Sequence, residues 1–526
     1  MERVQPYEKR WWGLGVLILS LFVISLDNTI MNVTLPTLVR ELGASATQLQ
    51  WIVDAYVLVF AGLLLTAGSL GDRFGRKGAL TIGLVLFGLG SAAGAFVDTP
   101  GQLIATRAFM GIGGALIMPA TLSILTNVFP AGERARAIAI WSAVAGLGFG
   151  LGPALGGWML ERFWWGSVLL VNVPVVIAAI VLGRSLIPTS KDPAAGRPDP
   201  LGAALSVTGL AAVLYGIIEA PRYGWTDVTT LGWLGAGLGL LAAFVAWELR
   251  TDHPMLDMRF FRNPRFTAAS VSITLSFFAL AGSMFFLTQI FQFLMGYSTL
   301  KAGVAILPAA LASATGAPLG AMLAKRFGAK VAVTGGLVTI AAGLGIVTLL
   351  TATSGYGLLL AAMVVAGLGV GLAMTPATES IMGSLPTAKA GVGSAVNDTT
   401  REVGGALGVA VLGSLLVSTF GSRMVEVTSG LPAAASEVAR DSLGGALAVA
   451  QQVGGPAGQG LVDAARIAFV DGTGFAMLVG SVFALAGAVV ALLFLPARAR
   501  EPEDQHVITV EVEPVEVDGL VTERIA

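Results

Sequence analysis

The sequence predicts an all-α protein that crosses a membrane many times. Of its 526 residues, 55% are hydrophobic and 12% are charged, whereas a soluble protein carries about 25% charged residues. Mean hydropathy is +0.81, and apolar runs long enough to span a bilayer as helices recur from end to end. The 69 glycines suit this class, because small residues let transmembrane helices approach closely.

Fourteen apolar runs are separated by polar or turn-rich segments. Lys and Arg concentrate in the segments that are cytoplasmic if the N-terminus is inside, which predicts that both termini are cytoplasmic. The runs cover approximately residues 11–35, 48–70, 78–97, 101–128, 134–158, 166–187, 201–219, 230–248, 265–292, 300–323, 330–351, 356–384, 391–420 and 474–497.

A short internal repeat predicts two bundles of six helices. Residues 70–77 and 323–330 follow the second and tenth runs and share Leu, Arg, Phe, Gly and Lys at matching positions. Secondary transporters are often built from such repeated halves. We therefore divide the chain into an N-terminal bundle (1–187), a linker with two inserted helices (188–264), a C-terminal bundle with a long external loop (265–497, loop 421–473) and a disordered cytoplasmic tail (498–526).

The composition argues against several other classes of protein. Cysteine is absent, and His253 and His506 both lie in polar segments, so proton chemistry inside the membrane would have to use carboxylates. The chain carries neither a G-x-x-x-x-G-K-[ST] loop nor an H-E-x-x-H motif, which disfavours an ATP-driven pump and a membrane enzyme. We expect no metal, no cofactor, no nucleic-acid partner and a monomer in the lipid bilayer.

Three charged residues interrupt the N-terminal runs. A rise of about 1.5 Å per residue places Asp27 roughly 24 Å from the cytoplasmic start of its run, and Asp54 and Arg107 each roughly 9 Å from the external start of theirs. In a hydrocarbon core about 30 Å thick, all three have a similar depth. Buried charges of this kind often mark ion or proton pathways, although a static ion pair that holds helices together is an alternative.

The C-terminal half carries a second group of charges. Asp398, Arg401 and Glu402 share one face of the thirteenth run, where they can pair with one another. This spacing is compatible with two alternatives: the three side chains only pair with one another, or they bind substrate. The candidate substrate-binding residues are Asp398 and Glu402, together with Glu379, Asn32 and Gln289.

Six segments resemble those of the major facilitator superfamily, specifically its 14-helix drug:proton antiporters (QacA/EmrB-like). Each segment lies on the run where that family has it, so we identify the chain as similar to these antiporters from about residue 10 to 497. The segments are residues 26–36, 51–56, 68–77, the pattern Leu103-x-x-x-Arg107-x-x-x-Gly111, the pattern Gly148-x-x-x-Gly152-Pro153-Ala154-Leu155-Gly156-Gly157, and 171–174.

The resemblance implies the major facilitator fold and a set of gating residues. Asp72 would form cytoplasmic ion pairs with Arg73 and Arg76 that break when the halves rock, while Gly68 and Gly75 shape the turn; a plain positive-inside loop is the alternative. The exporter motif of the fifth run would seal the two halves outside the cavity through Gly152, Pro153 and Gly156. Its glycines recur every fourth residue and therefore also suit simple close packing.

The resemblance further implies a proton-coupled multidrug efflux antiporter of the bacterial inner membrane. It would export drugs or dyes that are lipophilic and often cationic by alternating access, with Asp27, Asp54 and Arg107 coupling protons to transport. Asp27 pairs best with Arg107, because their two helices line the cavity in this fold. Asn397 and Ser313 stand where relatives can have an acid, which favours monovalent cations. A dedicated exporter of one natural product, antibiotic or lipid is the alternative.

Overall fold

A computed structural model describes residues 8–191, 199–252, 254–385, 390–496, 516–517 and 520–521. These residues are helical apart from loops and two short strands of the tail that pair antiparallel, Glu516–Val517 and Leu520–Val521. The rest of the tail, for which disorder is predicted, lies outside the described residues. The α-helices are α1 Arg10–Leu42, α2 Ala46–Phe74, α3 Arg76–Gly94, α4 Pro100–Val128, α5 Ala131–Arg162, α6 Ser167–Leu170, α7 Asn172–Leu186, α8 Pro200–Tyr223, α9 Val228–Glu248, α10 Pro264–Gln289, α11 Thr299–Phe327, α12 Ala329–Val347, α13 Tyr356–Met382, α14 Ala390–Val427, α15 Ala433–Asp441, α16 Leu443–Val453 and α17 Gly455–Phe494.

Within the described residues, thirteen helical segments are long and apolar enough to cross a membrane, with α6 and α7 counted as one. The remaining long helix, α5, coincides with the predicted run 134–158, so every predicted run overlaps a helix. Multiple membrane-spanning helices are therefore confirmed. The count of fourteen spans and the cytoplasmic termini stay predictions.

The helices pack in two groups. In the first, α4 packs on α2 and α3, and α1 packs on α5 and α7; in the second, α13 packs on α11 and α12, and α10 packs on α14 and α17. The inserted helices α8 and α9 pack on each other, and α8 also lies against α2 and α14. The two groups meet where α5 contacts α11 and where α2 contacts α14.

Glycines allow the closest helix crossings in both groups. A Cβ added to Gly113 of α4 would lie 2.7 Å from the carbonyl oxygen of Gly83 in α3. The same crossing recurs between α13 and α12, where a Cβ on Gly369 would lie 2.6 Å from the carbonyl oxygen of Gly336. Backbones that approach this closely leave no room for a side chain, which explains the abundance of glycine.

The segment predicted as a long external loop is largely helical. Helix α14 continues to Val427 and α17 begins at Gly455, so both extend beyond the predicted runs. Between them, α15 and α16 pack against each other. Helix α10 ends in a π-helical turn, Ile290–Leu294, before α11 begins.

We predict that Gly113→Val destabilises the protein and that Gly101→Val in the same helix does not. The added side chain at Gly113 meets the α3 backbone, and overpacking of this kind costs about 1–3 kcal/mol, whereas nothing lies within 4 Å of the Cβ position at Gly101. Thermal unfolding of the two purified variants in detergent measures the difference. Equal midpoints would show that the α3–α4 crossing adjusts freely.

Candidate functional site

An ion pair between Asp27 and Arg107 lies inside the N-terminal group of helices. Asp27 of α1 is fully buried, and only 1% of Arg107 of α4 is exposed. The Arg107 Nη1 donates a hydrogen bond to the Asp27 Oδ2. Each charge offsets the penalty of burying the other. The pair that the family resemblance favoured is present in this structure, and it joins α1 to α4.

Helix α2 holds the guanidinium of Arg107 from a second side. The Arg107 Nε donates to the carbonyl oxygen of Ile52 over 3.2 Å. The guanidinium carbon lies 4.5 Å from the ring centroid of Tyr56, an arrangement in which the ring face attracts the cation. The arginine thus connects three helices, which neither its depth nor the sequence motif indicated.

Asn172 completes the surroundings of Asp27. Its Nδ2 donates to the Asp27 Oδ1 over 2.9 Å and to the Ser91 Oγ over 3.2 Å. Both carboxylate oxygens are therefore hydrogen-bonded, one by α4 and one by α7. The segment around Asn172 resembles the family, but its sequence predicts no role for this residue. The available signal was an amide side chain within an otherwise apolar run.

Asp54 forms no ion pair with Arg107 among the described residues, and it lies on the face of α2 that carries Gln50 and Leu58. One turn before it, Gln50 reaches the carbonyl oxygen of Val409 in α14 over 3.5 Å; one turn after it, Leu58 belongs to an apolar cluster with Ala406 of the same helix. Residues four apart share a helix face, which places Asp54 between these contacts. It is fully buried, and neither of its carboxylate oxygens has a hydrogen-bond partner in the described part of the chain.

The glycines of α5 press against α1. A Cβ on Gly152 would overlap the side chain of Thr29, and a Cβ on Gly156 would overlap that of Ile30. These contacts lie within one turn of Asp27. The exporter-like motif therefore packs directly beside the ion pair, and any larger residue at either position would push α5 away from α1.

The next turn of α5 meets the other group of helices. The Thr299 Oγ1 of α11 donates to the carbonyl oxygen of Gly157 over 3.0 Å. Gly303 lies against the carbonyl oxygen of Pro153 so closely that any Cβ would clash. We call this end of the molecule the sealed end; the predicted orientation makes it the external side.

Within the described residues, the hydrogen bonds that join the two groups of helices all lie toward the sealed end. Besides Thr299–Gly157, the bonded pairs are Gln292–Val33, Leu300–Glu161, Gln50–Val409 and Ala46–Asp441.

The helical hairpin α15–α16 covers part of the sealed end. Asp441 accepts a hydrogen bond from the backbone nitrogen of Ala46 over 2.9 Å, and burial raises the pKa of this carboxyl. Gly444 of α16 lies against Val39 of α1 and Phe293 of the π-helical turn. The hairpin thereby contacts both groups of helices at their boundary.

The loop between α2 and α3 forms one of its two predicted ion pairs. The Arg76 Nε lies 2.6 Å from the Asp72 Oδ1, which also accepts from Ser123 of α4 over 2.8 Å. Arg73 instead lies over the ring of Phe74. Gly75 has φ of 125°, a conformation that favours glycine. In the same segment, Gly68 packs against Pro119 of α4.

The charges of α14 do not pair as the spacing allowed. The described residues contain no ion pair among Asp398, Arg401 and Glu402. Arg401 instead lies 5.5 Å from the ring centroid of Phe277 and donates to Thr378 over 3.3 Å. The Asp398 Oδ1 accepts from Asn397 over 3.2 Å. Neither acid therefore forms a direct ion pair with Arg401 in the described structure.

The other candidate substrate-binding residues are scattered. Glu379 is exposed on α13 and does not belong to the α14 group. Asn32 and Gln289 each donate to a carbonyl oxygen of their own helix, at Asn28 and Phe285. No contact among the described residues brings these three together, and their role stays a prediction. No group of three or more acidic, His or Cys side chains suited to a metal occurs in the part of the chain that is described.

These features define a polytopic membrane transporter built from two helix bundles, which contact each other where α5 meets α11 and where α2 meets α14. The Major Facilitator Superfamily model matches residues 17–409. The chain belongs to this superfamily, as the sequence motifs predicted, and it is a multi-pass protein of the bacterial inner membrane. The family and fold indicate a transporter and not an enzyme.

Curated relatives cover nearly the whole chain. The multidrug efflux pump LfrA of Mycolicibacterium smegmatis is 37% identical over 92% of this chain and 95% of its own length. The methyl viologen resistance protein SmvA of Salmonella typhimurium is 34% identical over 88% of this chain and 93% of its own length. The tetracenomycin C resistance and export protein of Streptomyces glaucescens is 33% identical over 94% of this chain and 93% of its own length.

A solved structure shares the fold. It is a bacterial homolog to the human lysosomal transporter Spinster, in an inward-facing and unoccupied conformation. The TM-score is 0.67 at 20% sequence identity, with 94% of this chain and 99% of that chain covered.

We predict that Arg107→Met is much more destabilising than the double change Asp27→Leu with Arg107→Met. The single change leaves Asp27 buried without its cation, which costs about 3–5 kcal/mol, whereas removing both charges avoids that penalty. Thermal unfolding of the purified variants tests the comparison. If the double variant is less stable than the single one, the pair contributes stability of its own.

Proposed function

We propose that this protein is a proton-coupled efflux antiporter that exports lipophilic, often cationic compounds by alternating access. The supporting observation is that the two buried acids of the N-terminal bundle differ. Asp27 is held by Arg107 and Asn172, whereas Asp54 has no partner among the described residues and lies between the bundles. Relatives named as a multidrug efflux pump and a methyl viologen resistance protein support export of such compounds.

Asp54 couples the proton to closure of the sealed end. Burying an ionised carboxylate without a partner is very unfavourable, whereas the protonated form is far cheaper to bury. When α2 and α14 separate, Asp54 meets water and takes up a proton from outside. The neutral side chain then lets α2 return to α14. Proton uptake thereby becomes the condition for closing the external side.

Asp27 exchanges partners in the same cycle. In the present structure Arg107 neutralises it, and α5 packs beside it through Gly152 and Gly156. A movement of α5 that shifts α1 weakens the ion pair, and the freed carboxylate then binds a proton or a cationic substrate. Arg107 returns when that ligand leaves. Pro153 and the two glycines act as the seal, while the Asp72–Arg76 pair and the turn around Gly68, Arg73 and Gly75 act at the opposite end.

The acids of α14 supply the substrate site of the C-terminal bundle. Asp398 and Glu402 form no ion pair with Arg401 in the described part of the chain, where Arg401 contacts Phe277 and Thr378, so both acids can pair with a cationic substrate. Glu379, Asn32 and Gln289 belong to the proposed substrate path with less direct support. The missing acids at Asn397 and Ser313 favour monovalent over divalent cations.

A second candidate is export of one natural product or antibiotic by the same mechanism. Relatives named as a tetracenomycin C resistance and export protein and as a puromycin resistance protein favour it. A panel of antibiotics, dyes and quaternary ammonium compounds in inverted vesicles discriminates the two. Transport of a single chemical class would select the dedicated exporter.

We predict that Asp54→Asn uncouples transport from the proton gradient. The amide is permanently neutral, so the sealed end closes without taking up a proton. Ethidium movement and internal pH, followed together in inverted vesicles, should show gradient-driven uptake falling by about tenfold or more while downhill exchange persists. Asp98→Asn, at an exposed loop position, is the matched control. Unchanged proton-driven uptake in Asp54→Asn would remove Asp54 from the coupling.

We predict that Asp27→Asn abolishes both proton-driven and downhill transport while the protein still elutes as a folded, monodisperse species. The amide can accept from Arg107 but cannot exchange it for a proton or a cation. Ethidium flux in proteoliposomes with and without a pH gradient measures the loss. Wild-type flux in this variant would leave the ion pair with a purely structural role, and gradient-independent flux in the wild type would contradict proton coupling.

A further inference from the structure

The C-terminal bundle contains an apolar cavity of about 80 Å³ that the proposed coupling and seal do not use. It lies between α10, α11, α12, α13 and α17, and no charged residue lines it. Three of its walls carry methionines, Met284, Met363 and Met477. Ser283 also lines it, but its hydroxyl already donates to carbonyl oxygens of α10. The chemistry of the cavity is therefore apolar.

The repeat in the chain shows which residues of the two bundles correspond. Gly43 (φ 63°) precedes α2, and Gly296 (φ 65°) precedes α11 at the same distance. Ser45 and Ser298 cap these two helices with their side chains. After α2 and α11, Gly75 and Gly328 both have positive φ. The difference in residue number between the two members is the same for all three pairs. One shift in residue number therefore relates the first three helices of each bundle.

Backbone contacts support this correspondence. In the N-terminal bundle, Gly111 of α4 lies against the carbonyl oxygen of Tyr56 in α2. In the C-terminal bundle, Gly367 of α13 lies against the carbonyl oxygen of Ala309 in α11. The α3–α4 and α12–α13 glycine crossings correspond in the same way. Tyr56 and Ala309 therefore occupy equivalent places.

The cavity occupies the place that the buried ion pair has in the N-terminal bundle. Three members of the charged site correspond by this shift to residues that line the cavity: Asp27 to Leu280, Tyr56 to Ala309 and Ser91 to Leu344. Arg107 corresponds to Met363 by the shift, three residues larger, that relates Gly111 to Gly367. In place of α7, which packs on α1 and α3 and carries Asn172, the cavity has α17, which packs on α10 and α12 and carries Met477.

The volume arises from two smaller residues on α11. Tyr56 and Phe60 stack with their ring centroids 5.7 Å apart and fill the N-terminal bundle. Their counterparts, Ala309 and Ser313, leave that space open. Ser313, Met284 and Leu280 remain partly exposed, so the space is not closed off from its surroundings.

We infer that this cavity binds an uncharged aromatic ring of a transported compound. An apolar lining strongly disfavours a charged group, because no partner would offset its desolvation. Methionine sulfurs adapt to irregular shapes and make favourable contacts with aromatic edges. The cavity is compact, which suits a ring better than the long chain of a lipid. The inference rests on the proposed export function and adds a place for the nonpolar part of its substrate.

The chain contains no cysteine, which allows a direct test on the purified, full-length protein. Met363→Cys places a single thiol on the cavity wall. It is reacted with benzyl methanethiosulfonate, which carries a ring, and with the cationic trimethylammonium-ethyl methanethiosulfonate. We expect the benzyl reagent to react at least about tenfold faster at equal concentration, and tetraphenylphosphonium to slow it.

Ser313→Phe, added to Met363→Cys, fills the cavity in the way that Phe60 fills the N-terminal bundle. We expect it to slow the benzyl reaction about tenfold, while Leu311→Phe, at a position 67% exposed on the same helix, leaves the rate unchanged. Should Ser313→Phe fail to fold, Ala309→Leu provides a smaller filling with the same expected direction.

Several outcomes would overturn the inference: no benzyl reaction, equal rates for the two reagents, no effect of filling, or no protection by tetraphenylphosphonium. A co-purified phospholipid that blocks the thiol until it is removed would assign the cavity to a lipid chain and overturn it too. The labelling needs no transport, whereas proton-driven ethidium flux in the wild type tests the proposed function, so the two failures are distinguishable.

Discussion

The buried ion pair of Asp27 and Arg107 is the interaction on which the N-terminal bundle depends. A charge in an apolar bundle is tolerated only when its partners are fixed. Here α1 supplies the acid, α4 the cation, and α7 the amide of Asn172 that holds the second carboxylate oxygen. The position of each of these helices is therefore constrained by the others, and a movement of one must be compensated electrostatically.

The two bundles share their backbone plan but differ in chemistry. The glycine crossings between α3 and α4 recur between α12 and α13, so the repeat preserves the approach of the helices. The side chains at the centre are not preserved. The centre of the N-terminal bundle is charged and filled by side chains, whereas the centre of the C-terminal bundle is apolar and partly empty. Such a division suits a transporter whose cargo carries both a charge and a nonpolar part.

Close backbone approach at the sealed end sets where the bundles can separate. Gly157 and Gly303 bring α5 and α11 together without intervening side chains, and α2 meets α14 at Gln50. Asp54 lies one turn from that second contact without a partner among the described residues. Opening the seal would expose this acid, whose burial depends on its protonation, and the proposed coupling of a proton to transport uses this dependence.

Composition, run length and motif order determined the class, the helices and the family, because the bilayer imposes length and hydropathy on every spanning segment. Helical rise also placed Asp27, Asp54 and Arg107 at one depth. Depth does not specify which helices are neighbours or which way a side chain points. Only the tertiary structure decided that Arg107 pairs with Asp27, that Asn172 joins them, and that Arg401 turns to Phe277 and not to Asp398. It also revealed the cavity, since the sequence does not show which packed side chains leave a space between them.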